Sequence, residues 1–371
     1  MKLAGIRVLD LSSFIPGPYL TLAMADHGAE VIKVEAPGGD HTRHIGLSDG
    51  PDTVYFRAFN RGKKSVVLNL KDEADRAAFL ALVDSADVVV ESSRPGVAAR
   101  LGIDYATLSA RNPRIVYCAI SAFGQDGPLA KRPAHDLALE AMTGVLGATL
   151  GADGRPAMPG IPVSDYLSAL QGLSGVLMAL LAREKTGLGD FIDISMQETL
   201  LSATSNVMGP TLAEGRQPVV AHERTTGGGA FYRWYACGDG RMLAIAGQEP
   251  KFIEALLGHL GRLDLAPLCR EPGPHQQPVA DLLGQTFAAM TLDEAGALLD
   301  RLDVCWGPVK TYPEALDDEQ VAARGFVLAD DLGRRHIGPP IRFAREPAQV
   351  RLHAPALGEH QDLCHTSATR P

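Results

Sequence analysis

Three residues have side chains able to move a proton or attack a carbonyl, in settings that invite it. Asp165, in PVSDYLSAL, falls at the start of a long apolar helical pattern. Its ordinary reading is a helix N-terminal acid stabilised by the helix dipole. The same carboxylate could serve as a nucleophile or a proton carrier. His135, in RPAHDLAL, lies 30 residues earlier. A lone histidine is most often a core or surface residue, but a neutral imidazole takes a proton near neutral pH and its imidazolium returns one. Glu249, in AGQEPKFIEAL, precedes Pro250 at a helix start, a common place for an acid.

Two basic pairs suit an anionic ligand. Arg94 in ESSRPGV and Arg100 in VAARLG follow the apolar run DVVVES, and Lys131 and Arg132 form a second pair. Arginine offers phosphate a fixed fork of donors, and open parallel sheets bind ligands beyond the carboxyl ends of their strands. The plain alternative for each is a solvated surface cation. Metal chemistry has little support: His41 and His44 are near neighbours, but no acid–histidine–cysteine cluster surrounds them.

The five cysteines (Cys118, Cys237, Cys269, Cys305 and Cys364) are scattered singly, with no CxxC pair. That argues for reduced, cytoplasmic usage over a disulfide framework or zinc site. The N-terminus, MKLAGIRVLDLSS, lacks a signal-peptide pattern. A net charge of −9 gives no support for a nucleic-acid partner. The apolar stretch 166–181 is shorter than a bilayer span usually needs and carries Ser168, Gln171 and Ser174, so it reads as a buried core helix, with no membrane partner expected.

The elements that must position these residues form an α/β pattern. Short apolar runs at 6–12, 29–35, 64–70, 87–93, 114–121 and 191–196 read as strands buried on both faces. Helical patterns at 19–28, 73–85 and 105–112 alternate with the first five, which predicts βαβ units and a Rossmann-like parallel sheet. Longer helical stretches follow at 136–146 and 165–185, and another at 197–208. The first strand-to-helix turn, SSFIPGPYL, has no GxGxxG, and neither a GxxxxGK[ST] loop nor a GxSxG elbow occurs. A nicotinamide cofactor is therefore not expected.

Beyond residue 209 the character changes. The polar, glycine-rich stretch 214–229 reads as an interdomain connection, and 231–237 and 241–247 flank Gly238-Asp239-Gly240 as a hairpin. Helical patterns at 250–260, 278–290 and 292–302 complete a smaller α+β unit. The predicted division is 1–210 with 328–371 as the large domain and 211–327 as linkers and small domain.

Taken in order, several segments resemble the class III (CaiB/BaiF) CoA-transferase superfamily. They include LAGIRVLDLS (3–12), PGPYLTLAMADHGAEVIKVEAPGGD (16–40), FNRGKKSVVLNLK (59–71), ESSRPGVAARLG (91–102), SAFGQDGPLAKRPAHD (121–136), PVSDYLSALQG (162–172), KTGLGDFIDISM (185–196) and GPVKTYPEALDDEQVAARGF (307–326). In its motifs the chain is closest to the α-methylacyl-CoA racemases. The resemblance implies a Rossmann-like large domain built from both ends of the chain, a smaller domain between them, and an interlocked homodimer in which each chain is a ring threaded by the other.

It also implies an acyl-CoA substrate, with coenzyme A arriving as part of the substrate and no separate cofactor. Asp165 matches the family's catalytic aspartate: a nucleophile that becomes an aspartyl-CoA intermediate in the transferases, a proton carrier at the α-carbon in the racemases. His135 stands where racemases carry a catalytic histidine and transferases more often an aromatic residue. Glu249 matches a racemase glutamate that pairs with that histidine, as the third member of a triad does. For the racemase enolate, backbone N–H groups at the helix start near Asp165 are the expected donors. Arg94, Arg100, Lys131 and Arg132 are expected at the coenzyme A phosphates, with Ala36 replacing a basic residue common in the family. Gly227-Gly228-Gly229 resembles the loop that covers the thioester in transferases, or else serves as a flexible linker. The racemase reading leads, with a CoA-transferase between carboxylic acids as the alternative and a non-catalytic acyl-CoA-binding homologue as the third.

Overall fold

The computed structural model describes residues 1–151 and 153–365, so the final stretch of the C-terminal segment, 366–371, lies outside the described residues. The chain divides into two compact units. The first comprises Met1–Leu146, Met158–Ser202 and the segment from Gln320 onward; the second comprises Gly147–Ala157 and Ala203–Glu319.

The first unit is built on a six-stranded sheet of β1 (Arg7–Asp10), β2 (Glu30–Glu35), β3 (Lys64–Val67), β4 (Val88–Glu91), β5 (Val116–Ser121) and β6 (Phe191–Ser195). Every pairing is parallel and the order is β3-β2-β1-β4-β5-β6. The direction of winding therefore reverses between β1 and β4, where doubly wound sheets open a crevice beyond their strand ends. All six expected strands are present, trimmed at their ends.

Alternate side chains explain why both faces are covered. Val8, Val31, Val88, Val90 and Val116 face α1 (Pro16–Asp26) and the long α6 (Val163–Thr186) through Leu20, Met24, Leu173 and Val176. Their neighbours Leu9, Ile32, Val66 and Val89 face α3 (Glu73–Val83) and α4 (Tyr105–Arg111) through Phe79, Leu82, Val83 and Leu108. Each such side chain, fully buried, contributes about 1.5–3 kcal/mol. Between β2 and β3 lies α2 (Val54–Asn60), which the strand–helix alternation did not anticipate. The outer edge of β3 is closed by the C-terminal segment: the Gln361 side chain accepts from Val67 N at 2.8 Å and donates to Val67 O at 2.9 Å.

Helix α6 departs from the expected buried core helix. Ser164, Ser168, Gly172, Val176 and Leu180 are buried, while Leu170, Leu177, Met178 and Leu181 are exposed. It is long and apolar enough to cross a membrane by length and composition, yet only one side of it is packed.

In the second unit β7 (Tyr232–Ala236) and β8 (Met242–Ala246) form the expected hairpin, and β9 (Trp306–Pro308) joins antiparallel to make the order β9-β8-β7. Helices Pro250–His259, Gln277–Ala288 and Leu292–Arg301 pack on it around Phe231, Leu243, Leu283 and Phe287. The stretch expected as a flexible linker is instead tied down here. Gly228 N donates to Glu223 O and Gly228 O accepts from Gly273 N, both at 2.9 Å. A Cβ at Gly228 would lie 2.3 Å from the His222 carbonyl carbon, so only glycine fits.

Candidate active site

The turn from β1 into α1 is held by buried charge where a dinucleotide fold would use glycines. Asp10, fully buried, accepts from Lys63 Nζ at 2.9 Å and Thr21 Oγ1 at 2.6 Å. Lys33 Nζ donates to Ser12 O at 2.9 Å and lies 2.7 Å from Asp40. Burial alone would raise the Asp10 pKa; Lys63 and Lys33 outweigh it and hold the carboxyl well below the usual range. Burial in turn pulls Lys63 down to about 8. These pairs fix the loops after β1 and β2, which wall the ligand side of the sheet.

Phe14, in that turn, adopts φ +65°, a region a non-glycine residue enters only when its surroundings force it. Its ring stacks on His41 with centroids 5.6 Å apart and meets the His135 ring edge-on at 5.9 Å. His135 precedes α5 (Asp136–Met142). A cavity of about 460 Å³ opens here, lined by Phe14, His41, Arg94, Arg132, His135 and Asp165, among others. A second cavity of about 270 Å³ adjoins it through Leu11, Ser13, His41 and Ser93, and lies beyond the carboxyl ends of β1 to β4. Its lining includes Lys33, Ala36, Asp40, Lys71 and Glu91.

Four of the seven expected residues thus meet in one cavity: Asp165, His135, Arg94 and Arg132. Arg100 and Lys131 line neither cavity and are exposed. Glu249 belongs to the second unit, where it is exposed and stands at the N-cap of helix Pro250–His259 without a side-chain capping bond.

Asp165 sits in the first turn of α6, and that turn is capped from outside. Asp136 Oδ1 accepts from Ser164 N at 2.7 Å and from Asp165 N at 3.4 Å; Glu140 Oε1 accepts from Val163 N at 3.3 Å. Tyr166 N donates to Pro162 O. The helix-start N–H groups expected to receive an enolate oxygen are therefore already engaged by the protein's own acceptors. Two further carboxyls now crowd Asp165. Burial first, then the charges of Asp136 and Glu140, push its pKa up to about 7. Glu140, with no exposed surface, is likewise pushed up to about 7 by burial and by Asp136. In the adjoining cavity burial raises Glu91 to about 7, although it accepts from Ser93 N at 2.6 Å.

Sequence reasoning passed over Asp136 and Glu140 as site residues. Their i, i+4 spacing on a helix directly after His135 is a signal that they share a face. For Phe14 no signal exists, since its residue type argues for negative φ. Lys71 was also missed, hidden at the end of the NLK run.

The arrangement puts a carboxyl of raised pKa in one cavity with an imidazole and two guanidiniums, next to the crevice where such sheets bind nucleotide-bearing ligands. Comparison with known proteins identifies the family. The acetyl-CoA:oxalate CoA-transferase of Acetobacter aceti is 36% identical over 363 residues, covering 96% of this chain and 92% of that protein. The succinyl-CoA:mesaconate CoA-transferase of Haloarcula marismortui is 33% identical over 374 residues, covering 96% and 93%. The crystal structure of a CaiB/BaiF family protein from Brucella suis superposes with a TM-score of 0.84 at 30% identity, covering 98% of both chains. The model of CoA-transferase family III matches residues 3–361, and the chain belongs to that family of enzymes.

Proposed function

We propose that this enzyme transfers coenzyme A from an acyl-CoA to a second carboxylic acid through an aspartyl-CoA thioester on Asp165. The observation that carries the reading is the placement of Asp165 in a cavity continuous with the crevice beyond β1 to β4. The relatives' transferase names favour it over the racemase reading.

An Asp165 carboxylate oxygen attacks the thioester carbonyl and the CoA thiolate leaves, giving an aspartyl–acyl anhydride. The thiolate then attacks the Asp165 carbonyl carbon and the donor acid departs as carboxylate. An acceptor carboxylate attacks the aspartyl-CoA thioester, and the released thiolate takes the new acyl group from the resulting anhydride. Asp165 returns as carboxylate, and no net proton is consumed. The adenosine end lies in the smaller cavity, where Lys71 supplies the cation that Ala36 lacks. His135 donates to the oxyanion that develops in each step, the role the engaged helix-start N–H groups cannot fill.

His135 also keeps the racemase as a second reading, because it shares the cavity with Asp165. There the two would exchange an α-proton from opposite faces, with Glu249 orienting the imidazole; the transferase scheme needs no such partner.

One experiment separates them. The enzyme is incubated with an acyl-CoA that includes a 2-methylacyl-CoA, in D₂O, then treated with borohydride and digested. Reduction of the aspartyl thioester to a primary alcohol on the Asp165 peptide, absent in Asp165→Asn, is the expected result. An α-deuterated thioester with CoA still attached and an unmodified Asp165 peptide would replace this reading with the racemase.

A further inference from the structure

Glu91 is an acid buried without a counter-charge. It ends β4, is 5% exposed, and lines the smaller cavity of about 270 Å³. Of the other acids there, Glu35 pairs with Arg43 and Asp40 with Lys33. Among the described residues no cation pairs with Glu91. Its carboxyl is served by Ser93, whose N–H donates to Oε2 at 2.6 Å. A carboxylate has about four acceptor positions, so capacity is left over. An unpaired buried charge is costly, and the group answers by holding its proton: burial pushes its pKa up to about 7. Near neutral pH Glu91 can therefore donate as well as accept. The bond from Ser93 N marks Oε2 as the carbonyl oxygen and leaves the proton to Oε1. Around it the cavity has aliphatic walls: Leu11, Val34, Leu68, Leu70, Leu101 and Ile103.

Aliphatic walls around one uncompensated acid suit a flat heteroaromatic ring that shows a donor beside an acceptor. Coenzyme A carries one such ring: in adenine, N1 accepts and the adjoining 6-amino group donates. We propose that Glu91 selects the adenine of coenzyme A, with Oε1–H donating to N1 while Oε2 accepts from the 6-amino group. Oε2 keeps its bond from Ser93 N, since a carbonyl oxygen has two lone pairs. The proposal rests on the transferase reading's placement of the adenosine end in this cavity, and adds the residue that reads the base.

Calorimetric titration of the full chain with two ligands tests this. One is coenzyme A; the other is its analogue with hydrogen in place of the 6-amino group, which keeps the ring and N1. The wild type should bind the analogue about fivefold more weakly, the scale of one neutral hydrogen bond. Glu91→Gln, whose amide offers the same donor and acceptor, should keep that difference. Glu91→Leu fills the space without a polar group. It should bind coenzyme A more weakly than the wild type does and bind the two ligands alike, so that the two losses are not additive. Glu91→Ala takes its place if leucine prevents folding. A difference that survives in the apolar variant would overturn the proposal, since another group would then hold the 6-amino group. So would a wild-type enzyme that binds the two ligands alike. Binding needs no turnover, so an Asp165 peptide left unmodified by borohydride, with these binding differences intact, would remove the transfer chemistry and not the adenine contact.

Discussion

In the proposed transfer Asp165 must be ionised to attack, yet burial, followed by the charges of Asp136 and Glu140, pushes its pKa up to about 7. The reward is nucleophilicity: a carboxylate of raised basicity is a stronger nucleophile once free of its proton. The cost is borne by the fold, and its sign can be worked out. A carboxyl whose folded pKa, about 7, exceeds the ordinary aspartate value of 3.8 contributes stability that is full below the lower value. That contribution is lost as pH rises through the higher one. Asp165→Asn, neutral throughout, should therefore exceed the wild type in thermal midpoint by several degrees more at pH 8 than at pH 5. The wild-type kcat/KM should rise with pH along a limb centred near 7. A midpoint difference that stays constant from pH 5 to 8 would refute the assigned protonation. Asp165 and His135 were legible because their flanking motifs are distinctive. The capping of Val163, Ser164 and Asp165 N–H groups by α5 was not, since it depends on how two helices meet.

Elements were legible to the extent that a single period governs them. All six strands of the sheet follow from apolar runs too short for helices, whereas their order β3-β2-β1-β4-β5-β6 is set by how the helices pack on the two faces, which no single run announces. What escaped were features set by partners distant in sequence: β9, three residues that become a strand only against β8, and the exposed side of α6. The GLG of the 185–196 motif shows how finely one junction is specified. Gly187 ends α6 at φ +73°, whereas Gly189 donates to Pro113 O at 2.9 Å, and a Cβ there would sit 1.9 Å from Ile115 O. Gly187→Ala meets only the left-handed penalty, about 1–2 kcal/mol. Gly189→Ala drives a methyl into the backbone of Arg114 and Ile115, just before β5, and should cost about 3 kcal/mol or more. Chemical denaturation of the two variants checks the ranking, and a Gly187→Ala protein less stable than Gly189→Ala would contradict it.

At the scale of the molecule, the first unit leaves a row of apolar side chains of α6 exposed. Leu170, Leu177, Met178 and Leu181 lie on one side of α6, and Met178 and Leu181 are 64% and 70% exposed. An apolar stripe of this kind is the sort of surface that a protein partner covers. The interlocked dimer that the superfamily resemblance implies would cover this stripe with a second copy of the chain, in an arrangement where neither ring could leave the other while folded. Such a dimer has a signature that ordinary association lacks. Its subunits cannot exchange by dissociation, because separation requires one chain to unfold and unthread. Tagged and untagged enzyme, mixed after separate purification, should yield no hybrid dimer over days at nanomolar concentration, and a full statistical share of hybrids after joint unfolding and refolding. Leu181→Lys, which places a charge on the stripe, should lower the yield of that refolding while leaving already assembled dimer intact. Hybrids that form on simple mixing would remove the interlock and leave a conventional dimer. A monomer in sedimentation at micromolar concentration would remove the dimer itself, and the α6 stripe would then need another partner.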